Sequence, residues 1–99
     1  MTKMNVSGYY GTHLAPLIRA MERTTGPVLE LGVGFFSTPY LHYACQNAGR
    51  QLTSYENDAS YADFFARYGY ASEGHQIRVV TDWDQAEIDR PWDVALIDH

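Results

Sequence analysis

Cysteine occurs once in the 99 residues, at Cys45, so no internal disulfide is available and a buried core must hold the fold. Basic residues are few: Lys and Arg number 7 against 12 Asp and Glu, for a formal charge of -5, and no stretch of the chain is basic. That pattern argues against a nucleic-acid footprint on this length of chain. Long apolar runs are missing, and the residues after Met1 carry no secretory pattern, which points to a cytoplasmic protein without a membrane partner. Internal repeats and low-complexity tracts are absent as well. What remains is 45% hydrophobic and 14% aromatic residues, enough for one small domain over residues 1–99.

The apolar residues fall into alternating helix and strand patterns. Leu14, Leu17, Ile18 and Met21 recur at helical spacing, with Pro16 in the first turn, and predict a helix over 13–24. Residues 1–25 thus read as an N-terminal arm and helix, and 26–99 as a βαβαβ-β core. Pro27 opens a first strand over 27–31. Thr38 is expected to cap a second helix with Pro39 at its first position, and Leu41, Ala44, Cys45 and Ala48 make its apolar face, burying the thiol. Residues 52–56 give a second strand, and Asn57 or Asp58 caps a third helix with Tyr61, Phe65 and Tyr68 on one face, ended by Gly69. A polar loop over 70–75 leads to a third strand over 77–80, and an acidic connector with about one helical turn leads to a fourth over 92–97.

Strand-helix alternation predicts right-handed βαβ units and a parallel sheet. Residues 94–97 are as continuously apolar as a strand covered on both faces. If this strand ended the sheet, its edge would stand open. The expectation is therefore a truncated domain whose missing C-terminal half, or an oligomer partner, covers strand four.

An acid stands at the end of each predicted strand: Glu30, Glu56, Asp82 and Asp98. Each alone is readable as a cap of the helix that follows. Together they converge on one crevice, because the carboxyl ends of parallel strands open onto the same edge. Between the first strand and its helix lie Gly32 and Gly34, where a backbone can turn sharply and approach a ligand. A two-glycine turn is equally a tight β-to-α connection.

Over residues 27–99 the chain resembles the class I S-adenosylmethionine-dependent methyltransferases. Val28-Leu29-Glu30-Leu31-Gly32-Val33-Gly34 is similar to the family's first motif, Ser54-Tyr55-Glu56-Asn57 to its ribose motif, Val79-Val80-Thr81-Asp82-Trp83 to its adenine motif, and Asp93-Val94-Ala95-Leu96-Ile97-Asp98 to the motif that ends beside the methyl group. The resemblance implies a Rossmann-like α/β/α sandwich with strand order 3-2-1-4. It implies S-adenosylmethionine as a small-molecule methyl donor held by Glu30, Gly32, Gly34, Ser37, Thr38, Glu56, Asn57, Asp82 and Trp83. Ser37 or Thr38 would meet the cofactor carboxylate at the helix N-terminus, because Phe35-Phe36-Ser37-Thr38 replaces the family's third glycine. A nucleobase amino group is disfavoured as acceptor, since the fourth motif lacks the Asn/Asp-Pro-Pro-Tyr form.

Methyl transfer needs alignment and a base for the acceptor's proton, for which Asp98 and His99 are the candidates. No metal set is expected: His42 lies on the second helix and His75 in a loop. A cofactor-binding or cofactor-cleaving module without methylase activity uses the same residues, and so does an NAD-dependent dehydrogenase with an acid about 20 residues past its glycines. The acceptor, small molecule or protein, is not written in this sequence.

Overall fold

A computed structural model describes residues 2–5 and 14–98. Five parallel strands, β1 (Thr2–Asn5), β2 (Val28–Leu31), β3 (Leu52–Glu56), β4 (His75–Val79) and β5 (Val94–Ile97), form one sheet in the order β1-β5-β2-β3-β4. Predicted strands one to four are β2 to β5, and they stand in the expected order 3-2-1-4 within a Rossmann-like α/β fold. The edge of strand four, expected to be covered by a missing half or a partner, is paired by β1. Thr2–Asn5 pairs in parallel with β5, Thr2 opposite Val94 and Asn5 opposite Ile97. Flanked by β1 and β2, β5 is an interior strand, which accounts for its unbroken apolar run. The fully buried β2 and β3 lie at the centre, while β4 at the far edge is largely exposed.

Helix α1 (Leu14–Glu22) precedes β2, α2 (Ser37–Ala48) joins β2 to β3 and α3 (Ala59–Phe65) lies between β3 and β4, and α1 and α2 pack on the same face of the sheet. Leu17, Ala20 and Met21 of α1 and Leu41 and Cys45 of α2 pack on Val28, Leu52, Val94 and Leu96. Arg50 locks this layer: its guanidinium donates to the carbonyls of Met21 and Gly26 and to Thr24 Oγ1, at 3.0, 2.7 and 2.8 Å, which fills acceptors left open at the end of α1. The opposite face is crossed by the connector over 80–93, which makes one 3₁₀ turn (Trp83–Gln85). There Leu29, Leu31, Tyr55 and Ala95 meet Val80, Ala86 and Trp92. Trp92 is buried and satisfies its indole N–H on the carbonyl of Glu87 at 2.9 Å.

Boundaries differ from expectation at several elements, with α1 ending at Glu22 and β5 beginning only at Val94. Helix α2 starts at Ser37, one residue before the expected cap: Thr38 N–H already donates to the carbonyl of Gly34 at 3.0 Å, and its Oγ1 turns back to Gly34 N–H and Glu30 and caps no N–H further along the helix. Pro39 is still harmless, since N–H groups of the first turn have no helical partner. Helix α3, capped by the Asp58 carboxylate on Ser60 N–H and Tyr61 N–H, runs on into a wider π-type turn (Ala66–Tyr70). His75 belongs to β4, where it pairs with Leu52, and not to the loop.

Candidate functional site

The turn after β2 is built into the sheet on both sides. Gly32 N–H donates to the carbonyl of Tyr55, and Asp98 N–H to that of Leu31, each at 2.7 Å. Gly32 has φ 96°, and a Cβ there would stand 1.8 Å from the carbonyl oxygen of Asp98. Only glycine fits. Its requirement comes from the seam between β2 and β5 and would hold with no ligand at all. Gly34 differs: a Cβ would lie 3.2 Å from Asp98 Oδ2 and 3.5 Å from Ser37 Oγ. Here it is side chains that approach the backbone.

Two carboxylates clasp this turn. Glu56, at the end of β3, is buried and accepts from Val33 N–H through Oε1 at 3.0 Å and from Asp58 N–H through Oε2 at 2.9 Å. Each oxygen has a second lone pair, so the group keeps capacity for two further donors. Asp98 closes the other side from β5. On the Asp98 side lies a cleft of ≈ 170 Å³, lined by Val33, Gly34, Phe35, Phe36, Ser37, Tyr61 and Asp98 and not reached by Glu56. Phe35 is held there by edge and tilted contacts to Tyr61, Phe64 and Phe65, with ring centroids 6.0, 5.6 and 5.4 Å away.

Glu30 takes a place beneath the turn, not along the cleft. It is completely buried, and its carboxylate accepts from Ser37 Oγ at 2.6 Å, from Thr38 Oγ1 at 2.9 and 3.0 Å, and from Ser54 Oγ at 2.6 Å. Desolvation outweighs those hydroxyls and, with a smaller push from Asp98, raises its pKa from 4.5 to about 7. Thr38 is a second supporting residue, since its Oγ1 accepts from Gly34 N–H at 2.9 Å while donating to Glu30. Of the expected pair, Ser37 alone reaches the cleft. Asn57 is exposed beside Glu56.

Asp82 is spent locally. Its side chain accepts from Asp84 N–H at 2.9 Å and shares a capping box with Gln85. Trp83 leans on the apolar cluster of Trp92 and Leu29. Both stand past the end of β4, after Val80, whose N–H reaches the carbonyl of Glu56 at 3.0 Å. His99 and the aromatic segment around Tyr9 and Tyr10 lie outside the described residues. Among the described residues no three His, Cys, Asp or Glu side chains group as a metal set, and no helix is long and apolar enough to cross a membrane.

Sequence reasoning missed the continuation of the Glu30 network. His75 Nε2 stands 2.8 Å from Ser54 Oγ, and His75 Nδ1 stands 2.9 Å from His42 Nδ1, all buried. The signal was present as polar Ser54 at the inward parity of a buried strand, facing Glu30 in register. Neither a scan against family models nor searches of curated proteins and solved structures finds a match to this chain.

Proposed function

We propose that this chain is the cofactor-binding part of an S-adenosylmethionine-dependent methyltransferase. The observation that carries the reading is the character of the cleft at the glycine turn: three aromatic rings, Phe35, Phe36 and Tyr61, and one carboxylate, Asp98. Aromatic faces and a carboxylate suit a cation. A sulfonium with its neighbouring ammonium is such a ligand. A dinucleotide would bring its pyrophosphate to the same turn, against Asp98 Oδ2 and above Glu30, and that repulsion favours the methyl donor over the dehydrogenase reading.

The fit is partial but coherent. At ≈ 170 Å³ the cleft is below the roughly 300–1,000 Å³ of whole-ligand pockets, so it would take the methionine end alone. The ribose would lie over Glu56, whose free lone pairs match a diol, and the adenine beyond it toward Asp82 and Trp83. The cofactor supplies an activated methyl group. The chain's residues orient it, and Asp98, which lines the cleft, is the group offered to take the acceptor's proton. The acceptor stays open.

Calorimetry with S-adenosylhomocysteine tests this. Micromolar binding to the full chain is expected, weakened roughly tenfold or more in Glu56→Gln, which loses one charge-assisted acceptor. Binding of NADH in its place would sink the proposal. Release of S-adenosylhomocysteine from the donor with a panel of hydroxyl and amine acceptors then separates methyl transfer from binding alone.

A further inference from the structure

Besides the crevice cleft, the molecule has a larger one of ≈ 480 Å³ at the opposite end of the sheet, beside the amino ends of β3 and β4. His42 and His75 line it. From His42 the hydrogen-bonded chain described above runs through His75 and Ser54 to Glu30 without a break, in links of 2.9, 2.8 and 2.6 Å. All four side chains are buried. Ser37, which lines the crevice cleft, holds the other oxygen of the same carboxyl.

Donor arithmetic gives this chain two consistent states. Ser54 has one hydroxyl proton, and the Nδ1–Nδ1 contact needs one imidazole as donor and the other as acceptor. With Glu30 ionised, Ser54 O–H donates to Glu30 Oε1, His75 Nε2–H to Ser54 Oγ, and His42 Nδ1–H to His75 Nδ1, which leaves His42 Nε2 bare. With Glu30 neutral every bond reverses: Glu30 O–H donates to Ser54, Ser54 O–H to His75 Nε2, His75 Nδ1–H to His42 Nδ1, and His42 Nε2 carries a proton. The states differ by one proton. It enters at His42 Nε2 and appears on Glu30 while each intermediate atom receives one proton and passes one on.

We propose that Glu30, Ser54, His75 and His42 form a proton relay by which the carboxyl beneath the glycine turn exchanges its proton through the cleft at the amino ends of the strands. The relay sets the charge under the crevice without opening it. It concerns the network itself and holds whichever cofactor the crevice takes. Groups facing the chain are consistent with a neutral His75 imidazole. Burial and the neighbouring His42 lower the pKa of His75 from 6.5 to about 4, and burial raises that of Cys45 on α2 to about 11. The rings of Tyr43 and Tyr70 pack edge-on against His42, while Arg50 and Glu73 sit on the cleft wall. Asp98 is the charged group beyond Glu30 at the other end.

The test follows the ring nitrogens of His42 and His75 by NMR in the full chain, with isotope-labelled histidine, as Glu30 is titrated through about pH 7. Both tautomers are expected to exchange together, His75 from Nδ1–H to Nε2–H and His42 from Nε2–H to Nδ1–H as pH rises. In Ser54→Ala the exchange at that pH is expected to vanish. Glu30→Gln, whose amide donates permanently to Ser54, is expected to lock the low-pH tautomers, and it serves where Ser54→Ala does not fold. Imidazoles that keep one tautomer across the wild-type titration overturn the proposal, as does an unchanged exchange in either variant.

Discussion

The two faces of β2 solve opposite problems with adjacent residues. On one face Leu29 and Leu31 enter a cluster with Tyr55, Trp92 and Ala95 that holds no carboxylate, in which stability follows chiefly from apolar area. On the other, Val28 joins the core under α1 and α2, but Glu30, two residues on, carries a carboxyl into the same layer and must be matched by three hydroxyls. The dry face holds the sheet together. The wet face ties the glycine turn to the far end of the molecule. Stability on the first should ignore pH, and stability on the second should not.

The seam between β2 and β5 at the glycine turn is the most vulnerable point. Gly32→Ala would drive a methyl into the Asp98 carbonyl at a positive φ, and a loss of about 4 kcal/mol or more, or failure to fold, is expected in denaturant unfolding. Gly34→Ala, which meets side chains only, is expected to fold and to lose cofactor binding instead. Equal damage from both would break the distinction between a structural and a ligand-facing glycine.

Trp92→Ala empties the dry face and is expected to cost roughly 3–5 kcal/mol by urea unfolding, by the same amount at pH 5 and pH 8. A marked pH dependence of that loss would contradict the separation of the faces.

On the wet face two opposed terms, each on the order of 3 kcal/mol, nearly cancel. Glu30 is raised to about 7, so the folded state holds a proton that the unfolded chain releases near 4.5; its contribution is complete below 4.5 and lost as pH rises to 7. His75 is lowered to about 4, so its contribution is complete above 6.5 and lost as pH falls to 4. Wild-type stability should be nearly flat between pH 4.5 and 6.5. Glu30→Gln is expected to expose the histidine slope, with stability climbing toward 6.5. His75→Phe is expected to expose the carboxyl slope, with stability falling toward 7. Identical profiles for both variants would show that the groups are not set apart in this way.

Much of this fold is legible because its central strands are apolar runs cut by Gly and Pro. Val28, Leu29 and Leu31, and then Val94 to Ile97, can be little else than buried parallel strands. The unread parts are those where polar residues do structural work. Thr2-Lys3-Met4-Asn5 has no apolar pattern to mark it as a strand, and its pairing partner is at the other end of the sequence. β4 starts at an edge with buried but polar His75 followed by exposed Gln76, so neither carries a hydrophobic signal. Thr38 carries the right side chain for a helix cap, but it sits one residue inside the helix, with its hydroxyl turned back to Gly34 N–H and to the buried Glu30. At the site, the order of acids and glycines announces a crevice, whereas the depth of Glu30 depends on which way one strand faces.

β5 supplies Asp98 to the site and pairs with β2 and β1, both distant in sequence, while β2, β3 and β4 pair as successive neighbours. Closing such distant pairs is the slow, entropically expensive part of assembly. A chain with β2 to β4 formed and β5 still loose would hold Glu56 and the glycines, yet it would lack the wall that completes the cleft. A ligand of the crevice would therefore bind the finished fold alone, and would act on folding as a latch that slows the release of β5.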